Sequence, residues 1–558
     1  MEIKQRLREL LNQSLPEILI ELQVEVSREV LEYVIELPKV RAHGDLATNL
    51  AFSIAKLAKK NPYQIALTCG LVLERIVKRE TNDGWIEKIS IEKPGFINFQ
   101  LTKNTVMTQI FEIYKKAKNF GQSNAGSGKK VMLEFVSANP TGPLTIAHGR
   151  QAALGDTLAR ILKAVGYQPH KEFYLNDRGR QIRLLGESLF ARYLELAGIP
   201  TPLPDDGYQG EYLIDLAKRL QGEVGDEFVR KSREESVPRV TEYAVQAMMS
   251  EINQDLKLMD VTFDEFFSEK SLAEAGKIDQ ALDALKKKGF IFEADGALWF
   301  QSTRLGDDKD RVLRKQSGEL TYLAPDIAYH QSKFERGFDL IINFWGPDHH
   351  GYIARVRAAC EALGFSSKAL KVLIVQLTTL YRHGKPVRMS TRKGEFVTLK
   401  ELVDEVGGSA ARFFFLMRKV ESHLDFDLEL AKQKTDENPV YYVQYAHARI
   451  SSILQFSNTP VTSDVKLELI NSEEELELTK KLSEFPDVLV QAALHLEPYR
   501  VVDYLREVAA HFHKFYAKHR VVGDDAPLTQ ARLLLVQCVQ IVIRNGLDII
   551  GVEAPCSM

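Results

Sequence analysis

The spacing of apolar positions divides the chain into three stretches. In the first, Ser53-Ile54-Ala55-Lys56-Leu57-Ala58-Lys59-Lys60 follows helical spacing and is stopped by Asn61-Pro62. Lys88 to Glu92, then Pro94-Gly95, then Phe96 to Phe99 predicts two strands joined by a turn. Gly121 to Gly128, rich in Gly, Ser and Asn, reads as a linker. Beyond it a short apolar run, Val131 to Val136, meets a turn-rich Asn139 to Pro143, and helical spacing follows from about Gly149 through Val165. Strand, tight loop and helix open a doubly wound parallel sheet. Leu340 to Phe344 and Lys371 to Val375 suit buried parallel strands of that sheet, whereas residues 185 to 300 read as a charged, mostly helical insertion. From about Asp436 the spacing stays helical, with breaks at Asn458 to Pro460, Pro498 and Gly523 to Pro527, as in a helical bundle. The expected organisation is an N-terminal α+β domain (1–120), an α/β Rossmann-like doubly wound domain (121–435) and a C-terminal all-α helical bundle (436–558).

A length of 558 residues suits two to four domains. The near balance of 73 basic and 76 acidic residues gives no vote for a nucleic-acid partner, although local basic patches remain open. Cys69, Cys360, Cys538 and Cys556 form no C-x-x-C pair, which argues against a zinc site or disulfide framework and fits a reducing cytoplasm. Met1 to Arg6 opens a charged amphipathic pattern rather than a secretory signal, and no apolar run reads as long enough to span a bilayer. A cytoplasmic protein without membrane association is expected.

Four segments carry candidate chemistry. Ser137 to Arg150 lies between a strand and a helix, where backbone N–H groups face an anion and His148 could donate to phosphate; a helix cap with a packing histidine is the plainer alternative. Lys385 to Glu395 gathers Arg388, Arg392 and Lys393 around Met389, Ser390 and Thr391, which suits a pyrophosphate leaving group or simply a solvated basic turn. Trp345-Gly346-Pro347-Asp348-His349-His350-Gly351-Tyr352 follows a strand, where this fold binds ligands. Its adjacent histidines point to opposite sides of an extended chain and lack H-x-x-x-H spacing, so no metal site is expected. Thr321 to Tyr329 places Pro325 in a first helical turn and brings Tyr322 and Asp326 to one helix entrance, where a carboxylate also suits the helix dipole.

In this order the segments resemble a class I aminoacyl-tRNA synthetase. The loop ending in His148 resembles the first class signature, H-I-G-H, and Arg388 to Arg392 the second, K-M-S-K-S. Glu134 to Leu144, Tyr174-Leu175-Asn176-Asp177, Trp345 to Tyr352, Gly407 to Met417 and Asn438 to Arg449 are similar to the arginyl enzymes, and His43 to Asn49 resembles their appended tRNA-contacting domain. The resemblance implies that L-arginine is activated with ATP and Mg²⁺ to arginyl-adenylate and passed to the terminal ribose of tRNA(Arg), with no tightly bound metal or prosthetic group. It implies catalytic roles for His148, Thr145, Arg388, Arg392 and Lys393, and ATP contacts from Pro140, Gly142, Ala147, Gly149, Asp348, His349, Met389 and Ser390. Glu134, Ser137 and Asn139 would take the amino-acid end of arginine, and Tyr322 and Asp326 its guanidinium. Asn49, Tyr442 and Arg449 would contact tRNA, and the protein is expected to be a monomer.

The signatures depart from the family pattern at Thr145 and Ala147, which stand where histidine and glycine are usual, and at Thr391, where a second lysine is usual. Loss of one transition-state donor costs about 10²–10³ in rate, so a catalytically impaired tRNA-binding paralogue is the alternative. A nucleotidyltransferase acting on a small molecule is a further rival, with no use for the helical C-terminal stretch. In that stretch Arg506 to Arg520 interleaves His511, His513, Lys514, Lys518 and His519 with Phe512, Phe515 and Tyr516, which suits either unstacked anticodon bases or bundle core.

Overall fold

The computed structural model describes residues 2–24, 31–38, 40–80, 84–387 and 397–558. The N-terminal unit runs α1 (Glu2–Glu21), β1 (Ile35–Glu36), β2 (Leu46–Thr48), α2 (Leu50–Ala58), α3 (Pro62–Glu80), β3 (Ile86–Glu92) and β4 (Phe96–Leu101). Lys59 ends α2 in a left-handed conformation and Pro62 opens α3, a position where its missing N–H costs nothing. The predicted hairpin is β3 paired antiparallel with β4, within a sheet of order β1-β2-β4-β3. α4 (Lys103–Lys116) leads out of this unit.

The central sheet is parallel. Its strands are β5 (Lys130–Glu134), β6 (Gln168–Leu175), β7 (Glu265–Ser268), β11 (Leu340–Trp345) and β12 (Leu370–Ile374), in the order β12-β11-β5-β6-β7. The chain leaves β5 for β6 on one side and returns as β11 on the other, so a crevice opens at the C-terminal ends of β5 and β11. α5 (Ile146–Ala164) follows β5 and packs closely: a Cβ on Gly155 would lie 2.3 Å from the Phe135 ring. Three helices, α6 (Arg180–Leu196), α7 (Tyr212–Val224) and α8 (Arg233–Leu258), make the helical insertion. Within this mostly helical stretch to residue 300 the structure adds β7, β8 (Ile291–Ala294) and β9 (Ala297–Phe300), four-residue strands too short for a period-2 pattern to register. β7 extends the main sheet; β8 and β9 join β10 (Arg311–Arg314), after α9 (Glu269–Glu274) and α10 (Lys277–Lys287). α11 (Leu323–Glu335) and α12 (Ile353–Ala362) flank β11, and a small sheet of β13 (Thr378–Arg382), β14 (Lys385–Pro386) and β15 (Leu424–Asp427) follows, with α13 (Leu399–Val406), α14 (Gly408–Phe415) and α15 (Leu428–Lys432).

The rest is helical: α16 (Pro439–Ser457), α17 (Glu473–Ser483), α18 (Phe485–His495), α19 (Tyr499–Lys518) and α20 (Ala526–Ile550). By length and composition α20 could cross a membrane, contrary to the sequence expectation, with a mean hydropathy of 1.6. It is apolar because α4, α16, α17 and α19 surround it, and Leu533, Leu534, Leu535, Val539, Val542, Ile543 and Leu547 are fully buried.

Arg412 joins this bundle to the parallel sheet. Fully buried, it donates to the carbonyl oxygens of Ile550 at 2.8 Å and Met259 at 2.7 Å, and to Asp156 Oδ2 on α5 at 2.7 Å. Burial alone would raise the Asp156 carboxyl, but Arg412, Arg160 and Lys171 outweigh it and hold that carboxyl below its ordinary value. Arg412→Met leaves two backbone carbonyls without their donor and should cost about 3 kcal/mol. Thermal unfolding is expected to begin at lower temperature in this variant, and an unchanged unfolding curve would refute the joining role.

Candidate active site

The first-signature loop starts on strained backbone. Val136 and Ser137 take φ of 68° and 40°, unusual for non-glycine residues and acute for a β-branched one. The turn is held by Val136 N–H donating to Gln151 Oε1 at 3.1 Å. It aims Ser137 Oγ at Glu134 Oε1, 3.2 Å away, while Tyr174 N–H donates to the same Oγ. Asn139 is exposed, its amide donating to Gln181 Oε1 at 2.7 Å; Pro140 is buried, and Gly142 faces the Tyr212 ring.

Thr145 is the N-cap of α5, and its N–H donates to His148 Nδ1 at 3.1 Å. With Nδ1 accepting, the proton of the neutral ring must sit on Nε2. Burial pushes the His148 pKa down to about 4, so at pH 7 the ring is a neutral N–H donor. Thr145 Oγ1 lies 3.2 Å from the same Nδ1, so this residue serves the histidine's orientation. Ala147 is exposed on the first turn, and Gly149 is buried where an added Cβ would lie 2.5 Å from Leu399 Cδ1.

Arg388, Met389, Ser390, Thr391, Arg392 and Lys393 lie outside the described residues. Their flanks are described. Thr398 forms a backbone bridge with Thr145, and Leu399 N–H donates to Leu144 O at 2.8 Å. Arg150, fully buried on α5, donates to the carbonyls of Gln376, Leu377, Lys419 and Ser422 and thereby fixes the small sheet beside the first signature.

α11 supplies the opposite wall. Asp326, Tyr329, His330 and Lys333 share one face, at i, i+3, i+4 and i+7. Desolvation raises the Asp326 carboxyl to about 7; the facing Tyr352 hydroxyl works against this, and Glu134 and Glu269 add to it. Although part of its surface is open, Asp326 is ringed by protein, and that enclosure governs its ionisation. The buried Tyr352 hydroxyl has no well-formed hydrogen bond of its own. Tyr174 Oη donates to Glu269 Oε2 at 3.0 Å, and burial raises the Glu269 carboxyl as well. Tyr322 stands at the mouth, 77% exposed. Asp348 and His349 are exposed just beyond β11, their side chains 3.5 Å apart.

Sequence reasoning missed Tyr352, Tyr174, Glu269 and Lys333 as part of this wall. Both tyrosines lie inside segments singled out for other reasons; no spacing links Glu269 or Lys333 to the rest. Among the described residues, His170, Glu172 and Glu265 converge as a metal site would, but Arg336 already donates to Glu172 at 2.6 Å and to Glu265 at 3.0 Å.

Two further regions hold the predicted tRNA contacts. Asn49 Oδ1 accepts from Val34 N–H at 2.8 Å, a use internal to the N-terminal unit. Tyr442 packs on His513 with ring centroids 4.6 Å apart. Arg449 is exposed over the Tyr516 ring at 5.2 Å, on the rim of a cavity of about 670 Å³ that Phe456, Lys518, His519 and Arg520 also line. The aromatics of α19 divide by burial. Phe512 and Phe515 are fully buried in the bundle, while Tyr516 and the 78% exposed Phe456 face the cavity.

A parallel sheet whose first loop carries a histidine at a helix N-terminus, with a helical bundle behind it, defines the class I aminoacyl-tRNA synthetase fold. The family models agree: "Arginyl tRNA synthetase N terminal domain" matches residues 2–101, "tRNA synthetases class I (R), catalytic domain" residues 109–423, and "DALR anticodon binding domain" residues 443–558. The arginine--tRNA ligase of Geobacillus thermodenitrificans is 45% identical over the full length of both chains. A Campylobacter jejuni structure described as "putative arginyl t-RNA synthetase" matches with a TM-score of 0.75 and 35% identity, covering 82% of this chain and all of that one. The Thermus thermophilus arginyl-tRNA synthetase, at 23% identity, shares the fold over the whole of both chains with a TM-score of 0.75. The chain belongs to the arginyl-tRNA synthetase family.

Proposed function

We propose that the crevice between the first-signature loop and α11 activates L-arginine with ATP, supplied as its Mg²⁺ complex, and passes the arginyl group to the terminal ribose of tRNA(Arg). The observation that carries this reading is the partly enclosed acidic wall of Asp326, Glu134 and Glu269, set beside a neutral histidine donor at a helix N-terminus. Asp326, backed by the Tyr352 hydroxyl, takes the guanidinium, and exposed Tyr322 closes over it. Glu134, Ser137 and Asn139 take the amino-acid end and direct the carboxylate at the α-phosphorus of ATP. That oxygen attacks, the bond to the bridging oxygen breaks, and pyrophosphate leaves with the electron pair. No protein nucleophile is required, so positioning and charge stabilisation supply the rate. His148 Nε2–H and the α5 N-terminus face the phosphates, with Pro140, Gly142, Ala147 and Gly149 shaping the nucleotide's seat and Asp348 and His349 at its ribose side. Arg388, Arg392 and Lys393, with Met389 and Ser390, balance the pyrophosphate charge.

Full-length similarity to arginine--tRNA ligases lends the impaired-paralogue alternative no support. Arginine-dependent exchange of labelled pyrophosphate into ATP, run with tRNA present, tests activation directly; exchange that no amino acid stimulates would refute it. We place the anticodon loop on the Arg449–Tyr516 cavity and the N-terminal unit, including Asn49, and Tyr442 against the rest of the tRNA, in a cytoplasmic enzyme acting as a monomer. Arg449→Ala should raise the KM for tRNA about tenfold through loss of phosphate and stacking contacts, leaving tRNA-saturated kcat unchanged. Steady-state charging at varied tRNA checks this, and an unchanged KM would remove Arg449 from the interface.

A further inference from the structure

Lys333 is a fully buried cation within a wall that must receive a cationic substrate. Electrostatically it opposes the ligand, so its presence calls for a role that repulsion does not cancel. Its Nζ donates to Glu134 Oε2 and, at 2.9 Å, to Asn343 Oδ1, and it lies 4.1 Å from the centre of the Tyr329 ring. Asn343 on β11 is the direct cross-strand partner of Glu134 on β5. The Asn343 amide nitrogen is 2.9 Å from His330 Nε2, and His330 Nδ1 is 2.8 Å from the Asp326 carbonyl oxygen.

These contacts admit one consistent set of directions. The Asp326 carbonyl can only accept, so His330 Nδ1 carries the proton; burial and Lys333 lower the His330 pKa to about 3 and keep the ring neutral. Nε2 then accepts from the Asn343 amide, and Asn343 Oδ1 is left to accept from Lys333. The chain leads from the main chain of Asp326, at the guanidinium end, to the carboxylate of Glu134, at the amino-acid end. Both ends are referred to one rigid helix, α11.

We infer that Lys333 is a positioning residue for substrate recognition: through the relay Lys333–Asn343–His330 it holds the Glu134 carboxylate at a set distance from Asp326, so that the site reads an α-ammonium group and a guanidinium at the separation found in arginine. The inference rests on the assignment of Glu134 to the amino-acid end. A purely structural ion pair would support all ligands alike; this one supports only ligands that carry the α-amino group.

The test compares arginine with 5-guanidinopentanoate, which is arginine without its amino group. The arginine KM in tRNA charging and the Ki of the analogue are measured for the wild type, K333M, E134Q and the double variant E134Q/K333M. K333M is expected to raise the arginine KM about 10–100-fold while the analogue's Ki moves by less than about threefold, a span set by one charge-assisted hydrogen bond. The double variant removes both buried charges together and so preserves the fold if K333M alone does not. It should show the same loss of discrimination. Equal weakening of arginine and analogue in K333M, or no weakening of either, would overturn the role of Lys333, as would a double variant that binds both ligands more weakly than E134Q does. Lost discrimination in E134Q but not in K333M would overturn the Lys333 inference alone, whereas full discrimination retained in E134Q would overturn the assignment of Glu134 beneath it.

Discussion

Asp326→Asn is expected to lower kcat/KM for arginine by about 10²–10³-fold, since it removes the charged partner of a guanidinium that is desolvated on binding. The KM for ATP should stay within about threefold, because Asp326 belongs to the α11 wall and not to the loop around His148. The same residue sets a pH dependence. In the empty site its carboxyl is raised to about 7, mainly by desolvation, and only the ionised form pairs with the guanidinium. Arginine should therefore bind more weakly as pH falls below about 7, approaching tenfold per unit, and level off above it. In Asp326→Asn this dependence disappears. Stability runs the other way. A carboxyl raised in the folded state keeps its proton while the unfolded chain has lost its own, so the ligand-free enzyme loses stability as pH rises from about 4 to about 7, and stays level above that. The asparagine variant should thus withstand heat at pH 8 at least as well as the wild type. Calorimetric titration with arginine from pH 5.5 to 8.5, beside thermal unfolding of both proteins, checks both statements. A flat wild-type binding profile would contradict the role given to Asp326.

His148→Ala should lower kcat by about 10²–10³-fold, the cost of one donor to developing phosphate charge. The arginine KM should be little changed, because the ring faces the nucleotide. Since Nδ1 is committed to the Thr145 N–H and the pKa in the empty site is held near 4, the wild-type kcat/KM profile for ATP should show no His148 inflection between pH 6 and 8. Single-turnover adenylate formation separates this chemical step from tRNA transfer and product release. A fall confined to tRNA transfer would place His148 elsewhere in the reaction.

The departures at Thr145 and Ala147 take on a physical meaning here. Thr145 contributes its backbone N–H, which any residue but proline would supply, to fix the tautomer of His148. Ala147 is exposed on the first turn of α5, where one methyl group displaces nothing of the protein. Neither substitution removes the Nε2–H donor.

Much of the architecture was legible because its signals are local. The Val131 to Val136 run, the turn-rich loop and the helix after it announce β5 and α5 through changes of period, although α5 begins at Ile146, three residues ahead of the helical spacing that starts near Gly149. Short edge pieces such as β7 were hidden, because four residues carry no period and pairing with β6 alone decides their state. α20 does not stand out as a candidate span in the sequence because Gln537, Gln540 and Arg544 interrupt its apolar run, and only the surrounding helices show why so apolar a segment belongs in a bundle. At the site, Glu134 and Asp326 could be named from the motifs around them. Lys333 and Glu269 could not, for their meaning arises only when α11 and α9 are folded against β5 and β6. The helix Tyr499–Lys518 is the clearest limit. Its aromatics share one spacing, yet Phe512 and Phe515 are core while half-buried Tyr516 lines the cavity rimmed by Arg449, a division made by neighbouring helices.

The most direct measurement is acid-precipitable charging of a tRNA pool by the purified protein with ATP, Mg²⁺ and each labelled amino acid in turn. Charging with arginine alone, lost in parallel in Asp326→Asn, is the predicted result. Charging with a different amino acid, or none at all while tRNA still binds tightly, would contradict it.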